Sequence, residues 1–145
     1  MRIYLAARYG RADELRGYRD TLRELGHKVD CRWLEGDHRI ADETLNQPDV
    51  PNTEGIKFAI EDYVDVLNCD LLLMFSEIPR SGHSRGGRHV EFGLALAWSK
   101  LTTVIGPREN VFHYLPKVCT MPSFDTWLEA VHKAGGANRF YGGKD

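Results

Sequence analysis

Apolar positions along the chain follow two recurring patterns: short continuous or alternating runs, and longer stretches with helical spacing. The short runs predict β-strands at residues 2–7, 28–33, 70–75, 102–106 and 117–121. The longer stretches predict helices at residues 11–26, 54–67, 90–100 and 124–134. Strands that alternate with helices are typical of a parallel sheet. The pattern therefore predicts an α/β protein, a single Rossmann-like domain whose central parallel sheet has about five strands, with helices on both faces.

The second predicted helix carries an apolar stripe that is expected to face the core, while Asp62 and Asp65 fall largely off it. The stripe consists of Ile56, Ala59, Ile60, Tyr63, Val64 and Leu67. Residues 34–53 have no clear period and contain glycine and proline, so a lid over a pocket is expected there. The domain is expected to span residues 1–135, and the glycine-rich residues 136–145 are expected to form a flexible tail.

Composition narrows the possible partners and compartments. The 145 residues carry a formal net charge of −2, which argues against a surface for a nucleic-acid polymer. No apolar run is long enough to span a bilayer, and the first residues do not resemble a signal peptide. The three cysteines form no CxxC pair, so buried thiols in a reducing compartment are expected. A cytoplasmic protein without membrane contact is predicted.

Several common catalytic motifs are missing from the sequence. It contains no GxxxxGK[ST] phosphate loop, no GxGxxG after the first predicted strand and no GxSxG elbow. The six histidines show no spacing typical of metal ligands. Neither a metal ion nor an organic cofactor is therefore expected.

Candidate chemistry lies in acidic side chains near the ends of predicted strands. Gly86 and Gly87 precede Glu91 where a loop turns into the third helix, at the carboxyl edge of the sheet, where open α/β folds bind ligands. Asp62 lies in the preceding helix, and two carboxylates across a pocket can cleave a glycosidic bond. Tyr4 in the first strand could orient a carboxylate and lower its pKa. The alternatives are a glutamate that complements the helix dipole, an exposed helix aspartate and a core aromatic.

Two local groups of basic residues suggest an anion as ligand. Arg8, Gly10 and Arg11 form a loop that leads into the first helix, where backbone amides and guanidinium groups suit a phosphate. A solvated basic turn is the alternative interpretation of this loop. The second group surrounds the turn before Glu91 and consists of Ser84, Arg85, Gly87 and Arg88.

These segments together resemble the nucleoside 2-deoxyribosyltransferase family, which includes the 2'-deoxynucleoside 5'-monophosphate N-hydrolases. The resemblance covers roughly residues 1–122, and no single piece of it is specific. It rests on MRIYLA at 1–6, aspartates at 62 and 70, DLLLM at 70–74, EFGLALA at 91–97 and KLTTVI at 100–105.

The resemblance implies a role for each candidate acid. Glu91 matches the nucleophile that forms a covalent glycosyl-enzyme intermediate at C1'. Asp62 matches the aspartate that assists the leaving base, and Tyr4 matches the tyrosine that holds the nucleophile. Arg85 is a departure, because the transferases usually carry aspartate six residues before the nucleophile. The N-hydrolases place a phosphate-binding serine there, and Ser84 is one residue away.

These similarities imply cleavage of the N-glycosidic bond of a (2'-deoxy)nucleoside 5'-monophosphate with release of the free base. An arginine-lined site favours a nucleotide over a nucleoside, because an unpaired guanidinium in a pocket is costly. Two other functions stay open. One is a nucleoside 2-deoxyribosyltransferase that exchanges bases, and the other is a non-catalytic nucleotide-binding or sensing module.

The resemblance also implies a homo-oligomer, a dimer or larger, whose active sites are shared between subunits. The segment at residues 108–114 would then supply residues to a neighbour, with Asn110 and His113 as the candidates that bind substrate there. The apolar residues of this segment could instead belong to the core. They are Val111, Phe112 and Tyr114.

Overall fold

The computed structural model describes residues 1–40, 52–82 and 84–143. Its strands are β1 (Ile3–Ala6), β2 (Leu71–Phe75), β3 (Leu101–Ile105) and β4 (Cys119–Met121). Its α-helices are α1 (Ala12–Glu24), α2 (Thr53–Asn68), α3 (Gly87–Ala97), α4 (Phe124–Lys133) and α5 (Ala137–Phe140). Short 3₁₀ helices occupy Tyr9–Arg11, Arg32–Leu34 and Val111–Tyr114. Most of the predicted lid, residues 41–51, lies outside the described residues.

The sheet is parallel throughout, with the strand order β1-β2-β3-β4. Its register places Tyr4 beside Leu72 and Leu72 beside Thr102. All five residues of β2 are buried, as expected for a strand covered on both faces. The predicted parallel α/β architecture is confirmed, with four strands instead of about five.

The missing strand is the one predicted at residues 28–33. Lys28 makes a single parallel bridge to Arg2, after which the chain enters the 3₁₀ helix Arg32–Leu34. Side chains bind the edge of β1 there. Cys31 Sγ accepts from the Leu5 amide at 3.2 Å, and Trp33 Nε1 donates to the Leu5 carbonyl at 2.9 Å. The alternating apolar residues are buried as predicted, but they replace the backbone ladder of a fifth strand.

Helices cover both faces of the sheet. On one face, the ring of Tyr18 in α1 stacks on Phe75 of β2 and on Phe124 of α4, with centroids 5.3 and 4.2 Å apart. Tyr4 and Leu72 point to the opposite face, because side chains alternate along a strand. Helix α3 covers that face in contact with β1, β2 and β3, and α2 packs against α3.

The prediction that the apolar stripe of α2 faces the core is wrong. Ile60 is 58% exposed, and Ile56, Tyr63 and Leu67 are also exposed. The buried side of α2 instead carries Val66 and Asp65, whose carboxylate accepts from the backbone amide of Arg32 at 2.9 Å and pairs with its guanidinium. A periodic stripe identifies an apolar face, but it does not distinguish the core from an intermolecular surface.

The C-terminal stretch, for which the glycines predict a flexible tail, carries the short helix α5 and packs on the domain as far as it is described. The hydroxyl of Tyr141 lies 2.6 Å from Thr103 Oγ1 in β3 and accepts from Trp127 Nε1 at 2.8 Å. Trp127 is fully buried. This polar network attaches the end of the described chain to β3 and α4.

Candidate active site

Glu91 lies in the second turn of α3, on the sheet face that Tyr4 also occupies. The helix starts after Gly86, whose φ of 83° is left-handed and therefore suits glycine. Because α3 packs across the sheet, Glu91 Oε2 is buried. Burial raises the pKa of Glu91 to about 8, Asp62 adds to the rise and the Tyr4 hydroxyl opposes it.

Tyr4 is completely buried beneath this carboxyl. Burial raises the pKa of its phenol well above the usual value, and the negative charges of Glu91 and Asp62 raise it further. The phenol is therefore neutral and able to donate to Glu91. The structure thus brings together the three residues Tyr4, Asp62 and Glu91 that come from β1, α2 and α3.

Asp62 has a partner that the sequence did not indicate. His38 Nε2 lies 3.2 Å from Asp62 Oδ1, and the His38 side chain is only 7% exposed. Burial raises the pKa of Asp62 to about 6, and His38 opposes the rise. The imidazole also stacks on Phe58 of α2, with ring centroids 3.9 Å apart. Sequence reasoning missed His38 because it lies in an aperiodic loop with no motif around it.

The His38 loop is attached to the loop after β1. The backbone amide of His38 donates to the hydroxyl of Tyr9 at 3.3 Å, and that hydroxyl lies 3.2 Å from Asp37 Oδ1. Tyr9 also packs near Trp33, with ring centroids 6.2 Å apart. Aromatic rings therefore lie near the Asp62 side of the site, where a planar base could stack.

Four polar atoms of this cluster are buried without a hydrogen bond of normal geometry to any described residue. They are Tyr4 Oη, His38 Nε2, Asp62 Oδ1 and Glu91 Oε2. Buried polar atoms without partners are uncommon in native proteins and require an explanation such as water or a ligand. Two of these atoms belong to carboxyls whose pKa is raised, and a group of such buried titratable side chains is typical of a catalytic site.

The predicted phosphate-binding arginines are largely paired with carboxylates. Arg88, which is 6% exposed, donates through Nη2 to Glu109 Oε2 at 2.6 Å and through Nη1 to Ser84 Oγ at 2.7 Å. Arg85 Nη1 donates to the carbonyl of Ile40 at 2.6 Å, which links the turn before α3 to the loop that carries His38.

The loop after β1 shows the same charge compensation. Arg11 binds Glu14 through Nε and Nη2 at 3.0 and 2.7 Å, and its Nη1 donates to the carbonyl of Ser76 at 3.2 Å. Arg8 donates from Nε to Glu77 Oε1 at 3.0 Å. Gly10 lies under the Arg8 guanidinium, so that a Cβ at this position would collide with that flexible side chain.

In the segment after β3, residues 108–114, one side chain is buried and several apolar side chains are exposed. His113 is buried against Phe92, and its Nδ1 accepts from the Glu109 amide at 3.0 Å. His113 therefore packs within its own subunit and does not extend towards a neighbour. Asn110 caps the turn by accepting from the Phe112 amide at 3.0 Å. The apolar side chains of this segment are exposed, namely those of Val111, Phe112 and Tyr114. The interpretation that they belong to the core is therefore wrong.

The described residues contain no group of three or more His, Cys, Asp or Glu side chains arranged to hold a metal ion. All three cysteines are free thiols. None of the described helices is both long and apolar enough to cross a membrane.

Comparison with solved structures agrees with this architecture. The CMP N-glycosidase BcmB of Clostridium botulinum superposes with a TM-score of 0.57 at 20% identity, over 89% of this chain and 96% of that one. The chain has the 2-deoxyribosyltransferase fold. A 2-deoxyribosyltransferase of Bacillus psychrosaccharolyticus superposes with a TM-score of 0.55 at 16% identity, over 77% of this chain and 76% of that one. The sequence matches no protein-family profile and no curated protein.

Proposed function

We propose that this protein is an enzyme that cleaves the N-glycosidic bond of a (2'-deoxy)nucleoside 5'-monophosphate and releases the base. The observation that carries the proposal is the convergence of Tyr4, Asp62 and Glu91, with buried polar atoms that lack partners, on the sheet face that α3 covers. The 2-deoxyribosyltransferase fold, shared with a CMP N-glycosidase, supports glycosyl chemistry as the reaction class.

In the first step, Glu91 attacks C1' of the sugar as the bond to the base breaks. The electron pair of that bond goes to the base, and Asp62 supplies the proton that the base accepts. The carboxylate of Glu91 also stabilises the positive charge that develops at C1'. Tyr4 holds the nucleophile by donating its phenolic proton, and His38 orients Asp62 from the other side.

In the second step, water attacks C1' of the glycosyl-enzyme and Glu91 leaves as a carboxylate. Asp62, which is now ionised, accepts the proton of that water and returns to its starting state. The same two carboxyls thus serve both steps, as microscopic reversibility requires.

The decisive experiment replaces Glu91 by glutamine and measures base release by chromatography. Glu91→Gln should lose at least a thousandfold in kcat, because an amide cannot form the glycosyl ester. Thermal unfolding should show no loss of stability at pH 8. The folded pKa of Glu91 lies above its unfolded value, so ionisation of the buried carboxyl destabilises the wild type as pH rises towards 8.

Glu129→Gln is the matched control, because Glu129 is an exposed carboxylate paired with Lys133 on α4. It should retain wild-type turnover. Substantial base release by Glu91→Gln, with an intact fold, would contradict the nucleophile assignment. A panel of ribo- and deoxynucleoside monophosphates, assayed for free base, identifies the substrate.

Base exchange is a second candidate function, since one structure with the same fold is described as a 2-deoxyribosyltransferase. A free acceptor base, added to the reaction, would then appear in a new nucleoside or nucleotide. Tight binding of nucleotides with no base release in either assay would instead favour the non-catalytic binding module.

We further propose that the active protein is a homodimer formed through the exposed apolar face of α2 and α3. This face, which we call the α2–α3 surface, consists of Ile56, Ile60, Tyr63, Leu67 and Val90. Contiguous apolar area of this kind marks a protein interface. Asn110 lies beside His89 at the start of α3, so the exposed turn Val111–Tyr114 lies near the same surface and could extend towards a second subunit.

A further inference from the structure

Three of the predicted phosphate-binding arginines are each compensated by a carboxylate. Arg11 is bound by Glu14, Arg88 by Glu109, and Arg8 by Glu77. The charge of these three arginines is therefore largely balanced when no phosphate is bound. The sequence suggests a pocket of unpaired cations. In a balanced site, a phosphate must instead displace a carboxylate before it can bind an arginine.

Glu77 is held differently from the other two carboxylates. Glu109 uses both oxygens, one for Arg88 and one for the Glu77 amide at 2.7 Å. Glu14 also uses both oxygens, on Arg11. Glu77 uses Oε1 alone, 3.0 Å from Arg8 Nε and 3.4 Å from Arg11 Nη1, and its Oε2 bonds to no described residue. Its side chain is 22% exposed.

This arrangement leaves the Glu77 side chain free to move while its backbone stays fixed. The bond from its amide to Glu109 anchors the main chain directly after β2. Rotation of the side chain towards solvent breaks only the contacts to Arg8 and Arg11. Partly exposed ion pairs of this type contribute little free energy each, so a ligand of greater charge can displace them.

Arg8 is the guanidinium that such a rotation would release. Its side chain is 41% exposed, and its Nη1 and Nη2 donate to no described residue. Displacement of Glu77 would add Nε to these free donors, so that a phosphate could bind Arg8 along a bidentate edge. Arg11 would stay in place, because Glu14 and the Ser76 carbonyl still hold it.

We infer that Glu77 is a specificity-determining residue, which occupies the anion position on Arg8 in the empty site and yields it to the 5'-phosphate of the substrate. The inference rests on the proposed function. When a nucleoside binds, Glu77 stays on Arg8 and no guanidinium is left unpaired. The protein therefore prefers a nucleotide over a nucleoside only moderately, because the phosphate must compete with the carboxylate of Glu77 for Arg8.

Glu77→Gln tests this inference, because glutamine keeps an oxygen for Arg8 Nε and removes the competing charge. Kinetics are measured with a nucleoside 5'-monophosphate and with the matching nucleoside. The ratio of KM for the nucleoside to KM for the monophosphate should rise about fivefold, the size expected for loss of one partly screened charge contact. Inorganic phosphate should also inhibit this variant at a lower concentration than the wild type.

Asp20→Asn is the matched control, since Asp20 is an exposed carboxylate of α1 that pairs with Arg19. The KM ratio of this variant should stay within about twofold of the wild type. A fall or no change in the ratio for Glu77→Gln would overturn the inference, and so would an equal rise for Asp20→Asn. Glu77→Ala, which also removes the charge, should shift phosphate inhibition in the same direction as Glu77→Gln.

Arg8→Ala separates this inference from the proposed function. If Arg8→Ala raises KM for the monophosphate alone while Glu77→Gln changes nothing, phosphate binds at Arg8 and only the role of Glu77 is wrong. If Arg8→Ala raises both KM values equally, phosphate recognition at this loop is wrong, and the inference falls with it.

Discussion

Burial raises the pKa values of two carboxyls, Asp62 and Glu91, so that one lies below neutral pH and the other above it. The pKa of Glu91 rises to about 8 and that of Asp62 to about 6, in both cases chiefly because α2 and α3 exclude water from the site. The proposed chemistry needs Glu91 ionised and Asp62 protonated, which is one proton on the pair. Since the pKa of Glu91 is the higher of the two, most singly protonated molecules carry that proton on Glu91, and the reactive form is the less populated arrangement. Below pH 6 the pair holds two protons, and above pH 8 it holds none.

The pH dependence of kcat/KM should therefore be bell-shaped, with apparent pKa values of about 6 and about 8 that belong to the coupled pair. Initial rates of base release between pH 4.5 and 9.5 check this expectation. Asp62→Asn should lower kcat and abolish the bell, because one member of the pair no longer titrates.

Asp70→Asn provides the control for that profile. Asp70 directly precedes β2 at the amino end of the sheet, where its Oδ2 accepts from the Arg2 amide at 2.7 Å. Its profile should keep both limbs. A wild-type profile that is flat from pH 5 to 9 would contradict the assignment of the two carboxyls.

At the scale of elements, the edge of β1 is closed by side chains instead of a fifth strand. Cys31 Sγ and Trp33 Nε1 bind the amide and carbonyl of Leu5, and both residues are buried. An exposed strand edge is a template for unwanted pairing, and this cover removes it. The same 3₁₀ segment, Arg32–Leu34, contacts α2 and helps to place Asp62 near β1.

Trp33→Phe should destabilise the protein by about 1–3 kcal/mol, because the carbonyl of Leu5 loses its partner in a buried position. Chemical denaturation followed by circular dichroism measures this change. Trp98→Phe is the control, since no described hydrogen bond involves its indole nitrogen, and it should cost clearly less. Equal losses for the two variants would show that ring size, and not the bond to Leu5, stabilises this edge.

At the scale of the whole molecule, several of the large exposed apolar side chains lie on α2 and α3. The α2–α3 surface is exposed although its spacing is that of a core-facing helix, and the outward side chains of Val111–Tyr114 lie near it. An aqueous monomer would leave this area in contact with water, which is unfavourable by about 25 cal/mol per Å². In the proposed dimer, association of two copies would remove it from water.

Ile60→Asp should convert the dimer to a monomer, because it places a charge in the middle of the α2–α3 surface. Light scattering at assay concentration measures the mass of each form. Leu25→Asp is the control: Leu25 is similarly exposed but follows α1 on the other side of the sheet, and this variant should stay dimeric. A wild-type protein that is monomeric at micromolar concentration would contradict the proposal.

Local pattern predicted the parallel α/β architecture, although the strand expected at residues 28–33 does not form. The four strands and the four longer helices lie within a few residues of their predicted positions, because apolar periodicity reflects local amphipathicity directly. The same pattern and the resemblance selected Tyr4, Asp62 and Glu91, which the structure brings together, although their catalytic roles stay predictions.

Only the tertiary structure decided which face of α2 is covered, that His38 meets Asp62, and that Glu77 compensates Arg8. Each of these features depends on contacts between residues 24 to 69 positions apart in the chain. Periodicity carries no information about which partner covers an apolar face or which charge opposes another. The raised pKa values have the same origin, because desolvation is a property of the packed site and not of the residue that titrates.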